Sequence, residues 1–432
     1  MEDIRLIARQ TGEALQKAGA EKAQYTVMEK ETHEFNVDGG EFSLFRTLFD
    51  RSLGITAYKD DKKGTITINR FDDKAIEEAA KNCIKSAESG IADEAYAIAP
   101  AEGKEIFREG AYDPDIDLLF ERTRELMGHI KERHPKILVE QMIVRHDKVH
   151  SVYQNTNGTD FETYKGAYSI SLMYSAHEGD SATSFFGSDI YTDKLDRPFI
   201  EMGSVEKDFS DVEAQLSTVA VEGKFEGVIL LTPSSLGSFL ASIIGNFVSD
   251  GVILEKTSIW LDKLGEQVAD RRLTVSLKPG DSRIVCGERY TYDGFKSQDY
   301  NLIENGVLKS FLIGLYVANK SGFLPAKNTS FSVVIEGGDT PYRDMVKGIK
   351  KGLIVGRFSG GNPGTNGEFS GVAKNSFLVE DGEIKGAVSE TMINGNLADL
   401  MNNLVAISSE TVEDGKSVLP YIAFDKVVIS GK

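Results

Sequence analysis

The sequence predicts an α+β protein: two small N-terminal α+β modules followed by a larger β-rich C-terminal domain. Helical periodicity is confined to a few segments, and these alternate with strand-like runs. Turn clusters such as Asp38-Gly39-Gly40 and Asn155-Thr156-Asn157-Gly158-Thr159 punctuate those runs. Beyond the helix predicted to end near Phe247, β patterning dominates. A chain of 432 residues is also too long for one ordinary core. The expected divisions are 1–105, 106–215 and 216–432.

Ile4, Ile7, Ala8, Ala14, Leu15 and Ala18 recur at helical spacing, and Gly19 stops that helix. Strands are expected over 24–30, 35–37, 43–50, 53–59 and 65–69, with a hairpin turn across Asp60-Asp61-Lys62-Lys63-Gly64. A second helix over 73–89 carries Ile76, Ala79, Ala80, Cys83 and Ala87 on one face, which makes Cys83 a small core residue. Residues 90–113, rich in Ala, Glu, Gly and Pro, are expected to be a linker. The middle module then holds a helix over 116–133 and strands at 137–145, 150–155 and 167–177. The polar, acidic stretch 193–215 marks the second boundary. In the last domain a short buried strand over 227–232 leads to Ser234-Ser235, expected to cap a helix running through Phe247. Strands follow at 274–277, 290–293, 301–304 and 307–313. A helix over 342–351 and the glycine-rich stretch RFSGGNPGTNGEFSGV come next, then strands at 377–380, 383–386 and 426–429.

Composition excludes several function classes. The net charge is −18 and no Lys/Arg-rich stripe offsets it, so a polyanionic nucleic acid would be repelled. No apolar run approaches the length of a membrane span, and the N-terminus lacks the unbroken apolar segment of a signal peptide. Two distant cysteines, Cys83 and Cys286, fit a reduced, cytoplasmic protein better than a secreted one.

Three stretches resemble the TldD/PmbA (TldE) family, formerly called modulator of DNA gyrase. They are SLGITAYKDDKKGTITINRFDDKAIEEAAKNCIKSAE, then SVYQNTNGTDFETYKGAYSISLMYSAHEG, then the block from KTSIWLDKLGEQVADRRLTV through GGDTPYRDMVKGIKKGLIVGRFSGGNPGTNGEFSG to FLVEDGEIKGAVSETMINGNL. The resemblance covers nearly the whole chain and rests on the order and spacing of these stretches. In that family TldD-type members carry HExxxH shortly before a TS…GEQVA segment, with a cysteine near the glycine-rich stretch. The two His share a helix face in the manner of an i,i+4 pair, and the Glu activates metal-bound water. Anchored on Thr257-Ser258 and Gly265-Glu266-Gln267-Val268-Ala269, the corresponding residues here are Ala241, Ser242 and Asn246, and the cysteine position falls close to Ala373. This chain therefore resembles the metal-free PmbA/TldE type.

The resemblance implies a peptidase-complex subunit with no catalytic residue, metal site or cofactor of its own. Zinc would come from a TldD-type partner, and the substrates would be unfolded or leader peptides. Membranes and nucleic acid would not be direct partners. A stand-alone homodimeric peptide-binding scaffold and a metal-independent hydrolase are the alternatives. The histidine count supports the first point independently. All six histidines precede residue 178, so the C-terminal domain has no His and a single Cys with which to build a zinc sphere.

Other constellations have plainer explanations. His146 and His150 are spaced like a ligand pair, but strand-like flanks point to a solvated turn. Cys286 lacks a nucleophile signature and is expected to be a buried strand thiol. The glycine stretch lacks the Gly-Lys-Ser/Thr ending of a phosphate loop. The resemblance implies instead that Ser359, Gly360, Gly361 and Asn362 lie near a peptide groove, with a surface loop as the alternative. Trp260 is read as core, and the pairs Asp60-Asp61 and Asp72-Asp73 as turn and N-cap residues.

Overall fold

A computed structural model describes residues 3–389 and 391–431. Helix α1 (Ile4–Lys17) is followed by β1 (Lys22–Asp38), β2 (Glu41–Lys59), β3 (Lys62–Ile68) and α2 (Asp73–Glu88). Then come β4 (Lys104–Gly110), α3 (Ile116–Arg133), β5 (Ile137–Asn155), β6 (Asp160–Glu178), β7 (Ser181–Ala182), β8 (Phe186–Thr192) and α4 (Val205–Ala214). Helix and sheet are mixed throughout, so the fold is α+β.

The four short strands expected between 24 and 59 are two long ones, and 137–155 is one strand rather than two. Charged residues in mid-strand read as breaks, yet each finds a partner on a neighbouring strand. Glu29 faces Arg51 at 2.8 Å, Lys30 meets Asp147 at 3.0 Å, and Arg46 reaches Glu34 at 2.7 Å. Such cross-strand pairs let a strand run on through polar sequence. The reversal after β2 is correspondingly tight: Asp60 and Asp61 both have positive φ, as a two-residue hairpin loop requires.

Strands β1 and β5 pair over most of their length, so one sheet, ordered β3-β2-β1-β5-β6-β4, runs through both N-terminal modules. Two cores form on it. One end of the long strands supplies Tyr25, Val27, Leu53 and Val152 to a core closed by α1 and α2. The other end supplies Phe35, Val37, Met142 and Val144 to a core closed by α3 and α4. Both cores draw on each side of position 105, with Val152 in the first and Phe35 and Val37 in the second.

The expected linker contains β4, which pairs in parallel with β6. Its charged face escapes a hydropathy reading because it docks on the C-terminal domain, where Arg289 grips Glu109 at 2.7 and 2.6 Å and Lys296 reaches Glu105 at 2.6 Å. The acidic stretch 193–215 likewise contains α4, with Val205, Phe209 and Val212 buried at helical spacing.

The last domain begins with β9 (Thr218–Val219), β10 (Lys224–Leu231) and α5 (Pro233–Ile243). The N-cap is Thr232 rather than Ser234 or Ser235: its hydroxyl accepts from the Ser235 amide at 3.4 Å and Pro233 takes the first helical position. The domain continues through β11 (Val275–Leu277), β12 (Tyr300–Glu304), β13 (Val307–Leu308), β14 (Val333–Val334), β15 (Lys351–Val355), β16 (Arg357–Gly360) and β17 (Glu368–Lys374). It closes with β18 (Ser376–Glu380), β19 (Glu383–Val388), β20 (Thr391–Asn396), β21 (Leu404–Glu413) and β22 (Val418–Ser430). The long strand β22 pairs with β10, β14, β20 and β21 and is the spine of this sheet. Tyr290 forms only an isolated bridge with Lys296, where a strand was expected. Trp260 is buried against Phe247, ring centroids 4.8 Å apart, as a core residue.

Candidate functional site

The glycine-rich stretch is a β-hairpin, β16 turning into β17. Gly360 and Gly371 face each other across it, and a Cβ on Gly360 would lie 2.5 Å from the Gly371 Cα. Glycine is required there by the hairpin itself. Of the four residues expected near a groove, Ser359 and Gly360 thus belong to β16, whereas Gly361 and Asn362 line a cavity of about 690 Å³ with Ser370, Asn394 and Asn396. Among the described residues strand β16 pairs with β17 alone, so its other edge carries no strand.

Helix α5 packs beside this hairpin, since Phe239 touches Phe358 at 5.4 Å and Phe369 at 5.3 Å. Its opposite face, Ser234, Gly237, Ser238 and Ala241, recurs at i, i+3, i+4 and i+7 and lines a second cavity of about 610 Å³. That cavity lies between the middle module and the C-terminal domain. Its other walls include Ser188 and Asp208 from the middle module, Cys286, and Phe331.

Beyond Ile243 the helix widens into a π-helical turn, Ile244–Val248. Positions 241 and 246 are five residues apart, not four. A regular α-helix would rotate them about 140° from each other, at about 100° per residue. The expected common face therefore depends on the widened turn, a feature frequent at functional sites. The residues themselves do not fit zinc. Ala241 offers no donor atom. The Ser242 hydroxyl donates to the Ser238 carbonyl at 3.1 Å, and the Asn246 amide to the Ser242 carbonyl at 2.9 Å. Ala373 is fully buried on β17, paired with Phe358 and Thr391.

The cavity has chemistry that the sequence did not announce. The Asp208 carboxylate accepts from the Ser188 and Ser204 hydroxyls, each at 2.8 Å. Burial nevertheless pushes its pKa up to about 7, helped by the neighbouring Asp211 charge, so near neutrality it is partly a hydrogen-bond donor. The only advance signal was its place beside the Val205/Phe209/Val212 stripe of a helix that was itself missed.

Cys286 is not on a strand. It sits in a loop with φ of 50°, and its thiol donates to the Gly166 carbonyl at 3.4 Å. Burial pushes that thiol up to about 11, leaving it protonated and unreactive at neutral pH. His146 and His150 lie on continuous β5 rather than in a turn. His146 bonds the Ala111 carbonyl at 2.7 Å, while His150 stacks on Tyr164 and bonds Glu162 at 2.9 Å. Each imidazole is engaged separately.

Helix α5, which with its π turn carries the positions expected for the family's HExxxH motif, thus lines a large cavity between the middle module and the C-terminal domain. Family models agree: the PmbA/TldA metallopeptidase C-terminal domain matches residues 225–431 and the PmbA/TldA metallopeptidase domain 1 matches 27–87. The chain belongs to the PmbA/TldD family. It is 26% identical over 405 residues to a metalloprotease PmbA homolog of Haemophilus influenzae, covering 88% of this chain and 86% of that one. It superposes on TldE from Thermococcus kodakarensis with a TM-score of 0.86 at 21% identity, over 98% of this chain and 100% of the other. A modulator-of-DNA-gyrase candidate from Bacteroides thetaiotaomicron gives 0.88 at 22% identity, with 100% of both chains covered. Among the described residues no helix is long and apolar enough to cross a membrane.

Proposed function

We propose that this chain is the non-catalytic, peptide-binding subunit of a cytoplasmic metallopeptidase complex. A TldD-type partner would supply the zinc, the nucleophilic water and the general base, and the substrates would be unfolded or leader peptides. The observation that carries this reading is the helix through residues 241–246, which runs into the π turn and offers no histidine, cysteine or carboxylate at the motif positions. The cavity beside it suits a peptide. Serine hydroxyls and the Asp208 carboxyl offer hydrogen bonds, Phe331 offers an apolar contact, and one edge of β16 nearby carries no strand among the described residues. The thiols of Cys83 and Cys286 are free, in keeping with a reducing compartment.

The test is co-expression with an HExxxH-bearing homologue from the same genome. The pair is expected to co-purify and cleave an unfolded fluorogenic peptide, and Ala241→Trp, which fills the cavity, is expected to abolish cleavage while leaving association intact. Peptidase activity of the pure chain alone would overturn the reading. A stable homodimer that binds peptide and ignores the partner would establish the scaffold alternative.

A further inference from the structure

A second cluster of ligand-type side chains lies in the middle module, away from the cavity. His129 sits near the end of α3, His134 is the C-cap residue of the same helix, and Glu206 is in the first turn of α4. His129 Nε2 lies 2.9 Å from one Glu206 oxygen, and His134 Nε2 lies 3.5 Å from the other. Three candidate ligand atoms, one from each residue, fall within 4.8 Å of one another. The spacing of five between the histidines gives no familiar motif, and Glu206 lies in the segment expected to be a boundary, so the sequence did not disclose the cluster.

His134 is the informative member. Its side chain is only 6% exposed, and its Nδ1 lies 3.0 Å from a Glu213 oxygen. An Nδ1 proton donated to Glu213 leaves a lone pair on Nε2. That Nε2 is buried, has no hydrogen-bond partner among the described residues, and faces the Glu206 oxygen at 3.5 Å. Two electron-rich atoms thus confront each other where no hydrogen bond relieves them, an arrangement that costs free energy. A cation between them turns the repulsion into two bonds. The spacing suits one: bonds of about 2.0–2.1 Å in tetrahedral geometry put ligand atoms about 3.3 Å apart. Each imidazole lies near that distance from one of the two Glu206 oxygens, 2.9 Å for His129 and 3.5 Å for His134, and one atom from each residue falls within 4.8 Å of the others, so small side-chain adjustments close the set.

We propose that the middle module binds one divalent transition-metal ion of the zinc class through His129, His134 and Glu206. Two imidazoles and a carboxylate favour such an ion over calcium or magnesium, which take oxygen ligands. Glu213 is the outer carboxylate that fixes the His134 tautomer and orientation. The exposed side of His129 and Glu206 leaves the remaining coordination to water. The ion would pin the end of α3 to the start of α4, which are 72 residues apart between His134 and Glu206. This site would be structural. It replaces the expectation of a chain without any metal site, and it is independent of the peptide-binding role proposed above.

The experiment uses the full, tag-free chain stripped with a chelator. Zn²⁺ is titrated against a competing chromogenic chelator, and Co²⁺ is added separately to read its visible absorption. One Zn²⁺ per chain is expected, with a rise in thermal midpoint and Co²⁺ bands indicating nitrogen and oxygen ligands. His129→Ala and Glu206→Gln, both at half-exposed or exposed positions, are expected to abolish binding while leaving the circular dichroism unchanged. Glu213→Gln is expected to weaken binding about 10-fold or more. Absence of saturable binding by the parent would overturn the proposal, as would binding that persists in both ligand variants. A parent that binds no metal, with His134 doubly protonated in ¹⁵N spectra, would show that a proton fills the gap instead.

Discussion

Replacing Asp208 by asparagine removes a charge from the cavity wall while keeping an oxygen for the Ser188 and Ser204 hydroxyls, both of which donate to the same carboxylate oxygen at 2.8 Å. Burial raises this carboxyl from its ordinary 3.8 to about 7 in the folded chain. The folded state therefore holds the proton to higher pH than the unfolded state does. Stability is greatest below the ordinary carboxylate range and falls as pH rises toward 7. At about 1.36 kcal/mol per pH unit, the full loss is about 4 kcal/mol, of which about 3 kcal/mol falls between about pH 5 and about pH 8. Access of water through the cavity reduces the expected figure to about 2 kcal/mol. Urea unfolding of parent and Asp208→Asn, followed by circular dichroism at both pH values, measures it directly. The variant should gain on the parent by that amount at the higher pH. A difference between the two proteins that does not change with pH, or a parent that gains on the variant as pH rises, would refute the assignment of a buried, reluctantly ionised carboxyl.

Phe247→Ala empties a fully buried site against Trp260, so unfolding free energy should fall by about 3–5 kcal/mol, with altered tryptophan fluorescence as a second readout. Glu109→Gln breaks the paired hydrogen bonds to Arg289 that tie β4 to the C-terminal domain. It should cost about 1–3 kcal/mol and speed proteolysis between residues 90 and 113. Gly360→Val should disrupt the hairpin and lower the yield of folded protein, whereas Gly361→Ala, with nothing within 4 Å of its new Cβ, should leave thermal stability unchanged. In an His129→Ala background, which removes the middle-module ligand, the combination Ala241→His, Ser242→Glu, Asn246→His and Ala373→Cys should restore zinc binding without peptidase activity. No gain of zinc affinity would mean the two His positions do not converge across the π turn.

Elements with a regular apolar period were legible in the sequence. α1, α2 and α3 begin and end within a residue or two of expectation, because Ile4, Ile7 and Ala8, or Ile76, Ala79 and Ala80, form uninterrupted stripes. The misses share a cause. Glu29, Lys30, Asp147 and Glu109 are charged side chains within strands, and each is satisfied by a partner distant in sequence. Their compatibility with a strand becomes apparent only once the partner is placed. The same applies to the candidate site. The loss of ligands at Ala241, Ser242 and Asn246 was readable as spelling, but the π turn beneath them is a backbone property with no residue signature here. Asp208 and His134 owe their character to burial and to neighbours on other elements, Ser188 for the first and Glu213 for the second. No local window contains both members of either pair.

Helix α5 keeps a capped start at Thr232, a face of small residues toward the cavity and a widened turn before Phe247. All three serve shape. A helix under no local constraint is expected to keep regular α geometry, since π turns are rare. Here the turn is anchored from below: Phe247 and Val248 are fully buried, and the Ser258 hydroxyl donates to the Phe247 carbonyl at 2.6 Å. The small face in turn keeps the cavity open, because larger side chains at Gly237, Ser238 or Ala241 would fill it. The helix is thus held as a wall of the cavity, and none of the residues lining it is a histidine or an activated thiol. It is this shape, with serine hydroxyls and the Asp208 carboxyl on its wall, that supports the peptide-binding role proposed above.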